Sequence, residues 1–239
     1  MDEMRRNTMI GVLLSVCGTA LFAPIFAAGK FVDGMVPAIA IMLARYAGGF
    51  LTAGAAVFFT MTPVRSLKSP RPWLHFLRAV MGAGGGACTI HAAANMPIAD
   101  ATAIGLTEGL IVVGLAALIL REQVTVRHWL AGGLCALGAY IVLQQTTAGP
   151  ELDARHLEGA LAAFAGALFI AFEALLIKIL ARQERVLGVL LHVNGFATLL
   201  LLGPALWALS RAQLALAVLA SFLFLCSLAH LAYLCIILA

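Results

Sequence analysis

The chain has 239 residues, of which 63% are hydrophobic and 11% charged, with a net charge of +4 at pH 7. Soluble domains carry about 25% charged residues, so this composition excludes an ordinary water-soluble fold and implies an integral membrane protein. The positive balance needs no nucleic acid, because basic loops beside anionic lipid account for it and no basic tract is interleaved with aromatic residues.

Apolar stretches cover 9–28, 36–60, 73–94, 100–120, 127–145, 159–181, 186–208 and 213–238. Each is close to the ~20 residues a helix needs to cross a ~30 Å hydrocarbon core. They are continuously apolar instead of alternating, which predicts an all-α protein with eight transmembrane helices and not a barrel. Arg5 and Arg6 precede span one as they would a signal peptide, but the run is too long for one and no clear A-x-A site follows. It is read as an uncleaved first helix. With the N-terminus in the cytoplasm, the inner segments hold Arg5, Arg6, Arg65, Lys68, Arg71, Arg78, Arg121, Arg127, Lys178, Arg182 and Arg185, against Lys30, Arg155 and Arg211 outside. That bias places both termini in the cytoplasm.

In chain order, span two holds Arg45 about a third of the way down, and the inner loop 61–72 is broken by Pro63, Pro70 and Pro72. Span three carries Gly82, Gly84, Gly85 and Gly86, with His91 near its end. No Lys-Ser/Thr follows these glycines, so they predict close helix packing and not a phosphate loop. Span four holds Glu108, and span five holds Gly132, Gly133 and Gly138 with almost no polar side chain, which predicts a peripheral helix. The polar connection 146–158 then divides the chain into residues 1–147, with five spans, and 158–239, with three. Span six carries Glu173 and Lys178, span seven His192 and Asn194, and span eight His230 and Tyr233 on one face. The cysteines Cys17, Cys88, Cys135, Cys226 and Cys235 all lie inside spans without zinc spacing, and read as small buried apolar residues.

Sliding the chain by 148 residues pairs Gly11 with Gly159, Leu13 with Leu161, Gly18 with Gly166, Ala23 with Ala171 and Lys30 with Lys178. A shift of 147 sets Cys88, Ile90 and Ala92 against Cys235, Ile237 and Ala239. Spans one and six run in opposite directions, so such a repeat is inverted.

Three stretches carry a family resemblance. They are Val36 to Arg45 with its proline and arginine, the alanine-rich turn Ala92 to Ala103, and Leu120-Arg121-Glu122-Gln123 followed by Trp129 and Gly132 to Gly138. Over essentially the whole chain these resemble the EamA-type drug/metabolite transporter family, whose members have ten helices in two inverted five-helix repeats. The resemblance implies a secondary transporter of small polar or amphipathic metabolites working by alternating access, without ATP or a bound cofactor, in a bacterial inner membrane. Two departures stand out: Gly109 occupies the place of the family's usual proline in helix four, and the last two helices have no counterpart up to Ala239. The partners expected are therefore membrane lipid, a small-molecule substrate, and either a second copy of the chain or further C-terminal helices; no nucleic acid is expected.

An ionisable residue at membrane depth costs about 2.5–3.5 kcal/mol on insertion scales, so each needs an account. Glu108 lies near mid-depth, where it binds a cationic group or a coupling proton, or else packs its helix as a neutral carboxyl. Arg45 holds an anionic group, pairs with Glu108, or snorkels to the outer interface. Glu173 and Lys178 are five apart and are not helical neighbours, so Glu173 is expected to find a partner on another helix. His91, His230 and Tyr233 complete the candidates, each alternatively an interhelical hydrogen-bonding group. No catalytic residue, metal ligand or cofactor site is expected. An intramembrane enzyme is the weaker alternative, because neither H-E-x-x-H nor G-x-S-x-G occurs. A non-transporting fragment or assembly subunit is the other.

Overall fold

The computed structural model describes residues 36–121, 123–146, 154–181 and 184–211, together with residues 9, 13, 16, 20, 221, 223–227 and 230. Among the described residues there are seven α-helices, one 3-10 turn at Val64–Leu67 and no strand. The helices are α1 (Ala38–Phe59), α2 (Pro72–Asn95), α3 (Ile98–Gly105), α4 (Thr107–Ile119), α5 (Val126–Thr146), α6 (Ala154–Ala181) and α7 (Val186–Arg211). The described residues within spans one and eight are helical as well.

Proline marks three helix starts. Pro37 immediately precedes α1, Pro72 opens α2 and Pro97 immediately precedes α3. Its fixed φ suits a first turn, and its missing N–H would have no partner within the helix there. The end of α1 is a Schellman turn in which Met61 N–H donates to Phe58 O at 3.3 Å and Thr62 N–H to Val57 O at 3.2 Å. Met61 takes the left-handed φ of 49° that this motif requires.

Span four is found as the single apolar segment Ile98–Ile119, with one interruption inside it. Predicted as one helix over 100–120, it is divided at Leu106 into α3 and α4. Glycines at 105 and 109 flank the break with low helix propensity, and Thr107 Oγ1 donates to Ile104 O at 2.6 Å, capping a carbonyl of the first segment. Glu108 is thereby set in the first turn of α4. Most of spans one and eight lies outside the described residues.

Among the described residues four segments are long and apolar enough to cross a membrane: Ala38–Phe59, Ile98–Ile119, Ala154–Leu180 and Val186–Arg211; α5 contributes a shorter apolar stretch, Val126–Val142. The helix α2 falls outside that set because it carries His75, Arg78 and His91, and its neighbours explain how it tolerates them. It packs most extensively on α6 and also contacts α1, α3 and α7, so protein instead of lipid surrounds much of it. The helices α1 and α7 form the other large contact, whereas α5, among the described residues, packs chiefly on α3 and α4 at the edge. On α5, Leu130, Leu134, Tyr140 and Ile141 are all more than half exposed, as suits a helix with lipid for solvent.

Buried side chains form three clusters. The largest joins Ile41, Met42 and Tyr46 of α1 to Ala79 and Ala83 of α2, to Val193 and Ala197 of α7, and to Cys226. A second, around Ala92, Met96, Ala101 and Ala163, seals one end of the α2–α6 pair. Leu74, Leu176 and Leu180 seal the other. Alanines recur in the first two of these contacts, as suits helices that associate in lipid by close packing instead of by escape from water.

Candidate functional site

The glycines of α2 set the site's geometry. At the crossing of α2 and α6 a Cβ on Gly85 would lie 3.4 Å from Gly166 O, and one on Gly166 would lie 3.3 Å from Gly85 O. Two helix backbones meet there, as the glycine cluster predicts. Three polar pairs then run along the same two helices and their ends. At one end His75 meets Glu184, within the span Arg78 meets Glu173, and at the other end His91 meets Glu158.

The pair within the span is the chemically interesting one. Arg78 Nε lies 3.5 Å from Glu173 Oε1, with the side chains 14% and 19% exposed. Glu173 thus finds its partner on another helix, as its five-residue separation from Lys178 predicts. Tyr46 of α1 closes over the same place. A Cβ on Gly82 would lie 2.5 Å from Tyr46 Oη and 2.9 Å from Glu173 Oε1, so only glycine at 82 lets these two groups approach α2. The Arg45 guanidinium sits 5.1 Å from the centroid of the Tyr46 ring, in cation–π range. Tyr46 is within electrostatic reach of Arg45, Glu173 and Arg78, and Glu108 is within reach of Glu173. Residues from α1, α2 and α6 therefore share one charged interior, with Glu108 of α4 half-buried nearby.

A second polar group adjoins this interior through α1. His230 is buried, and its Nδ1 donates to Cys226 O at 2.8 Å. Its Nε2 and Asn194 Oδ1 both face Gly49, where a Cβ would lie 2.7 Å and 2.6 Å from them. Asn194 Nδ2 donates to Leu190 O at 2.8 Å. Among the described residues no group of three or more His, Cys, Asp or Glu side chains could hold a metal ion.

The sequence profile of the EamA-like transporter family matches residues 9–144, more than half of the chain. This chain belongs to the EamA-like transporter family. It is a membrane protein of a transporter family, not of an enzyme family. A solved structure described as "Crystal structure of protein" is similar to this chain with a TM-score of 0.56 and 20% identity, over 92% of this chain and 83% of that one. At that identity the likeness speaks for the fold alone. None of the curated proteins compared matches.

For this family member, the structure brings two of the sequence candidates, Arg45 and Glu173, to the charged interior, with Glu108 half-buried nearby and His230 across α1 at Gly49. His91 lies elsewhere, 47% exposed at the end of α2, where its Nε2 is 2.9 Å from Glu158 Oε1. Tyr233 lies outside the described residues. Sequence reasoning missed Arg78 and Tyr46. Arg78 was counted among the inner-face charges although it is the sixth residue of span three, and that depth is the signal that could have found it. Tyr46 carries no charge, and nothing local distinguishes it from a core aromatic.

Proposed function

We propose that this protein is a secondary transporter that moves small polar or amphipathic metabolites across the membrane by alternating access. The observation that carries this reading is the charged interior of Arg45, Tyr46, Arg78 and Glu173, with Glu108 half-buried nearby. Three helices contribute to it, and both parts of the chain are represented. Ionisable groups are costly at membrane depth, and in transporters they line the substrate path.

The inverted repeat is part of this proposal, and the contacts support it. A shift of 148 residues carries Gly48 onto Phe196 and Cys226 onto Arg78. Gly48 approaches Cys226 and Ser227, with 2.9 Å between its would-be Cβ and Ser227 N, and Phe196 packs edge-on against Phe76 at 6.0 Å. One contact thus falls within two residues of the other's repeat image. Two units related in this way can rock against each other around a fixed central site. The closures at the two ends of the α2–α6 pair are then the contacts that open in turn.

Reconstitution of the protein in proteoliposomes tests the reading directly. If Glu108 carries substrate or a coupling proton, Glu108→Gln abolishes uptake while leaving thermal stability nearly unchanged, because glutamine keeps the size and hydrogen bonding but cannot ionise. A normal transport rate in a stable glutamine variant rejects that role. Glu108→Leu then reports the structural alternative, a loss of about 0.6–2 kcal/mol, the size of a hydrogen bond in a membrane.

A further inference from the structure

We propose that the central site takes the carboxylate of a small organic anion on Arg78, and that Glu173 is the resident carboxylate the ligand displaces. This rests on the transporter reading above and names its substrate class.

The buried Nε–H of Arg78 makes no hydrogen bond among the described residues, although Glu173 Oε1 is only 3.5 Å away. The pair is an ion pair by distance but lacks the directed N–H···O geometry that makes arginine–carboxylate contacts strong. A guanidinium presents several N–H donors in one plane, and its natural complement is a carboxylate bound by two parallel hydrogen bonds. A free carboxylate can adopt that arrangement. Glu173 is tethered to a different helix, α6, and reaches Arg78 with a single long contact. Among the described residues the site therefore holds a buried donor without a directed partner, and Glu173 is a weakly held competitor for it. The surroundings suit an anion. The Arg45 guanidinium lies beside the same Tyr46 that Glu173 and Arg78 reach, and Tyr46 Oη and the Glu173 carboxyl group flank the backbone at Gly82.

Exchange at Arg78 also gives a reason for coupling between ligand and conformation. Arg78 belongs to α2 and Glu173 to α6, so a ligand carboxylate on Arg78 breaks a link between these two helices. Binding thereby loosens the contact that holds this state, which is the differential interaction a ligand needs in order to shift a conformational equilibrium.

The test uses the full chain with lactate, succinate and L-alanine as carboxylate probes and putrescine as a cationic control. Binding is measured in detergent and uptake in proteoliposomes, for wild type, Arg78→Gln, Arg78→Lys and Glu173→Gln. At least one carboxylate probe is expected to bind. Its affinity should fall tenfold or more in R78Q, fall less in R78K, and rise severalfold in E173Q, where the competitor has lost its charge. Opposite effects from the two members of one ion pair are not produced by a structural role, which would lower thermal stability in both without altering ligand affinity in opposite senses. Uptake of putrescine alone, unchanged in R78Q, overturns the anion assignment while leaving transport standing. Carboxylate binding that depends on Arg78 without uptake of any probe upholds the site and counts against transport. Absence of carboxylate binding in both wild type and E173Q overturns the proposal, with R78K showing whether Arg78 can be replaced without unfolding the protein.

Discussion

The two ends of the α2–α6 pair are closed by the same chemistry, a histidine on α2 against a glutamate at or beside an end of α6, yet they differ sharply in environment. At the inner end assigned by the charge bias, His75 is fully buried and the Glu184 side chain is 9% exposed. The His75 Nε2–H is shared between Glu184 Oε2 at 2.8 Å and Ser69 Oγ at 3.0 Å, while Ser69 donates to Glu184 Oε1 at 2.6 Å and accepts from Arg71 N–H at 3.0 Å. The His192 ring stacks on His75 at 5.1 Å. At the opposite end His91 and Glu158 are 47% and 62% exposed, with Asn95 joining them among the described residues. Sixteen residues separate the two histidines, about 24 Å along a helix.

The difference lies in desolvation. A buried polar cluster has no water to fall back on, so removing one member leaves the others unsatisfied at full cost. An exposed pair exchanges protein for water at little net change. The same residue types thus make a firm closure at one end and a weak one at the other, and substitutions at each end measure how far they differ.

The largest effect is expected from Glu184→Ala. It strands His75 and Ser69 in the interior and should cost about 3 kcal/mol in reversible denaturant unfolding, the low end for removing one partner of a buried pair. A loss under about 1 kcal/mol would show that water reaches the inner end and would erase the contrast. Next comes Gly85→Val at the crossing between the two ends. The new side chain meets Ile170 Cγ1, 2.6 Å from the would-be Cβ, and lies close to Gly166 O. Overpacking of this kind costs about 1–3 kcal/mol. A lowered thermal midpoint with both ends intact would show that the crossing is a contact independent of either closure. The smallest effect is expected from Glu158→Ala, about 0.5 kcal/mol, because the partner histidine stays solvated. Thermal unfolding indistinguishable from wild type agrees with this, whereas a loss comparable to Glu184→Ala would make the two ends equivalent.

Much of the helical layout is legible in the chain. Predicted spans two, three, five and seven begin within two residues of α1, α2, α5 and α7, because the length of an apolar run and a proline at its edge are local signals. Span six was read five residues short, because α6 begins at Ala154 with Arg155 and Glu158 in its first turns, which pattern alone assigns to a loop. The break at Leu106 was not foreseen. Gly105, Thr107 and Gly109 were each visible, but single glycines are common in membrane helices and do not announce an interruption. For the site, the rule that a buried charge needs an account led to Arg45, Glu108 and Glu173, of which the structure sets Glu173 against Arg78 and Arg45 beside Tyr46. The same rule led to His91, which the structure places half-exposed at the end of α2 against Glu158.

What the sequence by itself determines is the medium and the class of fold. Its 63% hydrophobic residues can be solvated only by lipid, and in lipid a continuous apolar run has to close its own backbone hydrogen bonds as a helix. Both facts are written residue by residue and need no knowledge of neighbours. Only the tertiary structure decides which polar groups meet. His75 and Glu184 are 109 positions apart, and Arg78 and Glu173 lie on different helices. Their contacts depend on the rotation and crossing of α2 and α6, which the glycines at 85 and 166 permit but whose partners no local pattern specifies.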